Sequence, residues 1–317
     1  MASARYLVTG GGGFIGSNIV EALLARGERV RVLDDFSTGH RKNLDGFDVE
    51  LVEGSVADPE AAARACAGVE VVFHQGALPS VPRSVKEPLV SDRANTHGTL
   101  TMLEAARHAG VRRFLFAGSS SVYGETPELP KHEGMLPRPQ SPYAVTKLAG
   151  EQYLAAYAIL HGMETLTFRY FNVFGPRQDP NGAYAPVIAR WGLAALAGEP
   201  LVVFGDGQQT RDFCFVANVV HANLLAADSA KKLGGEICNI SCGEQITLLQ
   251  LAEAIGAEAG RPITIRHDPP RNGDIRDSLA AIGRAKEVIG YEPIVRWREG
   301  LRRTMEALRR EAARVRP

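Results

Sequence analysis

Neither sign of charge dominates this chain: lysine and arginine total 36, and aspartate and glutamate also total 36, among 317 residues. A balanced chain sets up no field to draw nucleic acid or an anionic membrane surface, so neither is expected as a partner. Long apolar runs are missing too. None approaches the roughly 18 residues that a membrane span needs, although apolar residues make up an ordinary 45% of the chain. Cysteine is scarce. Cys66, Cys214, Cys238 and Cys242 show neither Cys-x-x-Cys spacing nor a nearby histidine pair. Cys238 and Cys242 could at most be half a metal site, and reduced structural thiols with no metal are expected. There is no internal repeat and no low-complexity segment. A strand-like run begins at Arg5, which leaves no room ahead of it for a signal peptide, and a cytoplasmic location is expected.

What is present is a rhythm. Tyr6–Thr9 reads as a buried strand, and Ile15, Ile19 and Leu23 give a helix stripe that stops at Gly27. Further strands are expected over residues 30–33, 49–53, 69–74, 114–117 and 165–168, with helical segments before the last two. Strands alternating with helices predict an α/β fold, a Rossmann-type doubly wound parallel sheet with ligands at the carboxyl ends of its strands. Beyond Asn172, proline, glycine and irregular stretches break the alternation. The expected division is a dinucleotide-binding domain over residues 1–172 and a smaller C-terminal α/β substrate lobe over 173–317. A return to the first domain is expected near 213–240. Leu301, Met305 and Leu308 keep helical spacing within a charged end, which predicts a solvated terminal helix.

After the first strand comes Thr9-Gly-Gly-Gly-Gly-Phe-Ile-Gly16. It satisfies Gly-x-Gly-x-x-Gly with Gly11, Gly13 and Gly16, and the wider spacing with Gly10, Gly13 and Gly16. Glycine is needed because the turn is tight and the backbone must come close to a pyrophosphate, which the next helix meets with its free N–H groups. Alone, such a run can be a flexible loop. Here it lies between a strand and a helix, and Asp34 ends the next strand about 20 residues on, where an acid accepts from ribose hydroxyls and repels a 2′-phosphate. NAD is therefore favoured, while Arg31, Arg41 and Lys42 lie near enough in sequence to leave NADP open.

Tyr143 and Lys147, in Ser141-Pro-Tyr-Ala-Val-Thr-Lys147, stand at i and i+4, on one face of a helix. Ser141 suits its cap and Pro142 its first turn. Tyrosine is a poor base at its usual pKa of about 10. A neighbouring ammonium and an oxidised nicotinamide would both favour the phenolate. A packed ring beside a solvated lysine is the ordinary reading of such a pair, but this one follows a dinucleotide fingerprint. Ser119-Ser-Ser121 at a strand end adds hydroxyls that could bond the reacting oxygen.

These segments, with Asp34-Asp-Phe-Ser-Thr-Gly39, Ser119 to Gly124, Arg169-Tyr-Phe-Asn-Val-Phe-Gly175 and Arg211-Asp212, resemble the extended short-chain dehydrogenase/reductases, and within them the UDP-hexose 4-epimerases. Ser80-Val-Pro-Arg-Ser84 and Arg177-Gln-Asp-Pro-Asn-Gly-Ala-Tyr184 resemble the branch acting on UDP-N-acetylhexosamines. The resemblance implies that Tyr143 is the proton acceptor, Lys147 its partner, and Ser119 or Ser120 the assisting hydroxyl. Ser119 is favoured by its place four residues before Tyr123. It implies an NAD site built from Gly10, Gly13, Phe14, Ile15, Gly16, Asp34, Asp35, Ser37, Thr38, Gly39, Ser55, Val56, Gln75, Gly76, Ala77, Asn95 and Tyr170, with Tyr143 and Lys147. It also implies a UDP-sugar site built from Ser80, Val81, Arg83, Ser120, Asn172, Ala183, Tyr184, Val187, Phe204, Arg211, Arg271, Asp274 and Ser278. Asp35, Ser55 and Gly76 depart from the family's asparagine, aspartate and alanine, and the first two bear on the adenosine side. His74 reads as a packed strand residue.

The reaction implied passes hydride from carbon 4 to NAD and back to the other face of a 4-keto sugar, with no net redox. In the related 4,6-dehydratases an Asp-Glu pair follows the serine or threonine, whereas Ser120 and Ser121 stand there in this chain. No motif for a sugar carboxylate is found. An NADP-linked keto-sugar reductase and a non-catalytic dinucleotide sensor are the alternatives, and the intact Tyr143 and Lys147 argue against the sensor. The resemblance places Ser278, seven residues after Arg271, against the carbon-2 substituent. A small residue there would admit an N-acetyl group. Two helices, over residues 100–108 and 144–160, are expected to pair with their copies in a homodimer.

Overall fold

The computed structural model describes residues 4–180, 186–270 and 276–315. The chain runs β1 (Tyr6–Thr9), α1 (Phe14–Ala25), β2 (Val30–Asp34), β3 (Glu50–Glu53), α2 (Pro59–Cys66), β4 (Val71–His74), α3 (Val81–Lys86), α4 (Pro88–Asp92), α5 (Gly98–His108), β5 (Arg113–Ser119), α6 (Pro142–His161) and β6 (Glu164–Tyr170). It continues through β7 (Val173–Phe174), α7 (Val187–Ala197), β8 (Leu201–Phe204), β9 (Thr210–Arg211), β10 (Cys214–Phe215) and α8 (Val216–Asp228). Then follow β11 (Glu236–Ile240), β12 (Ile246–Thr247), α9 (Leu248–Ala259), β13 (Ile265–Asp268), α10 (Gly283–Ile289) and α11 (Trp297–Val315).

Seven strands make one sheet in the order β11-β6-β5-β4-β1-β2-β3, and every neighbouring pair is parallel. The fold is the Rossmann-type α/β arrangement that the alternation predicts. Helices cover both faces, so β1, β2 and β4 are buried along their whole length; β1 and β4 are mostly apolar, while β2 also buries Arg31 and Asp34. One face packs Ile19, Val20 and Leu23 of α1 with Val219 and Ala222 of α8. The other packs Ala61 and Ala65 of α2, Met102 and Leu103 of α5 and Leu154 of α6. The edge strand β3 is short and mostly exposed and carries Glu50 and Glu53, which discourages further pairing.

The order of the sheet reverses between β1 and β4, because β2 and β3 lie to one side and β5 and β6 to the other. That reversal opens a crevice at the carboxyl ends of β1 and β4. After leaving the sheet at β6, the chain returns through β11, which pairs parallel with β6 at the edge. The small pairs β7 with β10, β8 with β13 and β9 with β12 lie outside the sheet. A separate apolar cluster gathers Phe174, Trp191, Phe215, Leu251, Ile255, Trp297 and Met305. Leu301, Met305 and Leu308 of α11 belong to it, while Arg302 and Arg303 pair with Glu299 on the outer face. Among the described residues no helix is long and apolar enough to cross a membrane, and no cluster of His, Cys, Asp or Glu could hold a metal ion. All four cysteines are buried and free.

Candidate active site

The loop from β1 to α1 is built on close approach. A Cβ on Gly16 would lie 2.0 Å from the Gly10 carbonyl oxygen, and one on Gly10 would lie 2.8 Å from Gly76 Cα. Only glycine lets α1 start this near the strand ends, with its free N–H groups turned toward the crevice. Gly76 is fixed in turn, since its N–H donates to Thr9 Oγ1 at 3.0 Å. A Cβ there would meet Val56 Cγ1 at 2.8 Å, so the departure from alanine fits its neighbours.

Above this loop lies a cleft of about 570 Å³. Of the expected cofactor residues, the loop residues Gly10, Gly13, Phe14, Ile15 and Gly16 line it, as do Asp34, Asp35, Ser37, Thr38, Gly39, Ser55, Val56, Gln75, Gly76, Ala77, Tyr143, Lys147 and Tyr170. Asn95 does not. It is buried behind the wall, on a π-helical turn over Arg93–His97. Its side chain accepts from the Leu78 N–H at 2.8 Å and donates to Thr146 Oγ1 at 3.1 Å. Asn95 thus joins the loop after β4 to the helix bearing Tyr143, and correction of its expected cofactor contact follows from that burial.

The cleft suits a dinucleotide. Asp34 Oδ2 accepts from the Gly12 N–H and Oδ1 from the Phe36 N–H, both at 2.8 Å, which leaves lone pairs for ribose hydroxyls. Burial pushes this carboxyl up and those two N–H groups pull it back. Gln75 Oε1, in the cleft wall, is a buried acceptor without a partner. Two of the three basic residues that left NADP open, Arg31 and Arg41, are engaged elsewhere. Arg31 Nη1 donates to Ala65 O at 2.8 Å and Ala67 O at 2.7 Å, and Nη2 to Glu50. Arg41 lies over the Phe36 ring at 4.2 Å and pairs with Glu53.

The catalytic candidates meet at the other end of the cleft. Helix α6 starts at Pro142, with Ser141 Oγ accepting from the Ala144 N–H at 3.2 Å as its cap. The Tyr143 N–H donates to Ser84 Oγ at 3.0 Å, so α3 holds the first turn in place. Tyr143 and Ser119 both face the cleft, and the Ser119 hydroxyl acts to lower the buried Tyr143 phenol. The oxygen of Ser119 already accepts from the Ser121 N–H at 3.2 Å and from the Ser121 hydroxyl at 2.9 Å. Both its lone pairs are filled, so its own proton is left to donate. Ser120 begins the short turn Ser120–Tyr123 and does not line the cleft.

The Lys147 ammonium lies 5.9 Å from the centre of the Tyr143 ring. In the chain without nicotinamide, burial pushes Tyr143 up and the Ser119 hydroxyl opposes it. Lys147 donates to the Ala117 carbonyl at 2.8 Å, and burial lowers it to about 8. His74 is buried between Thr9 and Thr99, whose hydroxyls its ring nitrogens meet at 2.8 and 3.1 Å, and burial holds it neutral with a pKa of about 3. It takes no place in the cleft.

The expected sugar-side residues are only partly gathered. Ser80 and Asn172 line the cleft. Asn172 sits at φ 34°, a strained conformation of the kind that clusters at functional sites. Its Nδ2 donates to Asp212 O at 3.0 Å and to Ser278 Oγ at 3.4 Å, which places Ser278 beside the cleft. Val81 is exposed and Arg83 is turned outward to Glu87 at 2.9 Å. Val187 starts α7 behind Pro186, which lines the cleft, and Phe204 ends β8 with Arg190 over its ring. Arg211 donates to the Thr210 carbonyl at 2.8 Å. Ala183, Tyr184, Arg271 and Asp274 lie outside the described residues. Ser84 and Ser121 carry roles that the sequence reading missed. A serine run and a motif contain them, but neither says which hydroxyl faces which partner.

A Rossmann crevice with a glycine loop, an acid at the end of β2 and a serine–tyrosine–lysine group defines a nucleotide-dependent enzyme of the short-chain dehydrogenase/reductase kind. Residues 6–241 match the NAD dependent epimerase/dehydratase family, and the chain belongs to it, with NAD as its cofactor. It is 41% identical over 314 residues to the UDP-glucose 4-epimerase of Mycolicibacterium smegmatis, covering 97% of this chain and 99% of that one. The UDP-N-acetylglucosamine 4-epimerase of Methanobrevibacter ruminantium, solved with UDP-N-acetylmuramic acid, matches at a TM-score of 0.92 with 35% identity, covering 98% and 100%. A UDP-N-acetyl-α-D-glucosaminuronate decarboxylase of Bacillus cytotoxicus is 33% identical, covering 96% and 98%. The chain is an NAD-dependent epimerase by this kinship and by its site.

Proposed function

We propose that this enzyme inverts carbon 4 of UDP-hexoses, taking both the UDP-glucose/UDP-galactose pair and the corresponding N-acetylated pair. The observation that carries the reading is the Ser119–Tyr143–Lys147 group facing the same cleft as the glycine loop, with Asn172 and Ser278 adjoining. When bound, NAD would supply the hydride acceptor and then donor for carbon 4, with no net redox. Tyr143 takes the 4-hydroxyl proton and gives it back to the 4-oxygen. Ser119 donates to the oxygen that carries the developing charge, and the Lys147 ammonium adds positive charge on the same side. Asn172, Arg211 and Arg271 would hold the UDP, an arginine fork being suited to diphosphate oxygens.

The reaction of the Bacillus relative acts on a sugar carboxylate. Arg83, the cation nearest Ser80 in sequence, is paired with Glu87, which supports a neutral sugar. Ser120 and Ser121 cannot supply the acid and base that a dehydratase needs. The test is to incubate the purified protein with UDP-glucose, UDP-N-acetylglucosamine and UDP-glucuronate, without added NAD, and to resolve the products. The 4-epimers of the first two are expected. A net oxidised or reduced sugar, or carbon dioxide released from the uronate, would overturn the reading. Ser278→Tyr should then remove activity on the acetylated pair selectively, since a ring placed beside Asn172 fills the room that the amide needs. Full activity on the acetylated pair in that variant would show that Ser278 is not the gate.

A further inference from the structure

Beneath the catalytic pair lies a buried carboxylate that the reaction as written does not use. Glu151 stands one turn after Lys147 on α6, and the two are 1% and 4% exposed. Arg169 of β6 grips Glu151 with two prongs, Nε to Oε1 at 2.9 Å and Nη2 to Oε2 at 2.7 Å. Arg169 is itself buried, with its guanidinium over the Tyr123 ring at 4.6 Å. The titratable and charged groups around Lys147 are few. Tyr143 and Glu151 share its helix, Arg169 comes from β6, Tyr123 from the turn after β5, and neutral His74 from β4. Glu151 is the negative charge among these.

A buried ion pair is weak evidence for stability, because well-packed apolar residues often replace it without loss. A carboxylate held one helical turn from an ammonium has another effect, since the field between them is little screened away from water. We propose that Glu151 is a positioning residue for the reaction: its carboxylate, clamped by Arg169, keeps Lys147 an ammonium and so maintains positive charge beside Tyr143. The inference rests on the epimerase reading of the site. Burial favours loss of the Lys147 proton, and Glu151 opposes that loss. Without the carboxylate the proton leaves at lower pH, and the unpaired Arg169 charge pushes the same way.

The experiment compares the wild-type holoenzyme with Glu151→Gln and with Glu151→Gln/Arg169→Met, which removes both charges. Two titrations are read: the alkaline limb of kcat on UDP-glucose, and the ¹³Cε shift of Lys147 in lysine-labelled protein, assigned with Lys147→Arg. Glu151→Gln should move both at least about one pH unit lower, a tenfold change in proton affinity. The double variant should fall between that and wild type. A folded Glu151→Gln with both titrations unmoved overturns the proposal. So does a loss of kcat that is equal at every pH. If Glu151→Gln does not fold, a double variant titrating at or above wild type overturns it as well. A wild type that shows the Lys147 titration but no turnover refutes the epimerase reading instead, and the ¹³C shifts still decide the role of Glu151.

Discussion

Ser119 and Ser121 form a directed pair of hydroxyls at the cleft that Tyr143 also lines. Ser121 supplies two donors to Ser119, and this determines which way the Ser119 proton points. A serine whose acceptors are free can turn its proton elsewhere, whereas one whose acceptors are filled has a single outlet. Ser121→Ala removes the hydroxyl donor and leaves the N–H, so the expected loss in kcat is intermediate, about tenfold. Tyr143→Phe should cost at least about 10²-fold, the scale of a positioned proton-transfer group. Far-ultraviolet dichroism and thermal melting should stay near wild type in both. Normal turnover in a folded Tyr143→Phe would sink the assignment, and an unchanged Ser121→Ala would show that the backbone donor suffices. The tyrosine and lysine were legible in the sequence because their spacing is local and helical. The direction of a serine proton was not, because it depends on a partner two residues away across a turn and on a ring from another element.

Helix α6 carries this chemistry and is positioned at both ends and along its length. Its start is set by Ser141 and Pro142, both readable from the chain. Its distance from the sheet is set by Gly150, which no motif marks. A Cβ there would meet the Phe116 ring of β5 at 2.5 Å. Lys147 lies over that same ring at 5.0 Å, so the seat of the helix is also the seat of the ammonium. Gly150→Val should lift α6 from β5 and destabilise the fold by about 1–3 kcal/mol, the usual cost of overpacking. The melting temperature should fall, and kcat should fall more than KM rises, since the displaced group acts on the proton transfer. A variant with unchanged melting and turnover would show that the helix is not held by this contact. The element scale also marks where sequence reasoning works. Strands β1, β2 and β4, buried on both faces, announce themselves as short valine-containing runs. The short pairs β7 with β10 and β9 with β12 do not, because two-residue strands leave no period to read.

At the scale of the whole molecule, the sheet's reversal puts the dinucleotide loop and the catalytic helix on one crevice, and the outer faces of the helices remain to be accounted for. Val145, Ile159 and Leu160 of α6 are exposed, as are Val85, Leu89 and Val90 on α3 and α4, which pack beside α6. Leu89 is 84% and Ile159 81% exposed. On α6 the exposed apolar residues run along the face opposite Gly150 and Leu154, so the helix is apolar on two sides. A helix of that kind belongs between two packed layers, and here one layer is the sheet. Scattered apolar residues on a surface need no explanation, but a row along one helix and its neighbours marks an interaction surface. The self-complementary solution is a two-fold axis that sets α6 against its own copy, as in the commonest class of oligomer. A homodimer of twice the 34.2 kDa chain mass is therefore expected from light scattering at micromolar concentration. Placing lysines at Val145 and Ile159 together should convert it to monomer, because each charge would face its own copy across the axis. The cleft is lined within one chain by the residues named above, so the monomeric variant should retain NAD. A monomer mass for the wild type would leave that apolar row without this partner and rule the dimer out.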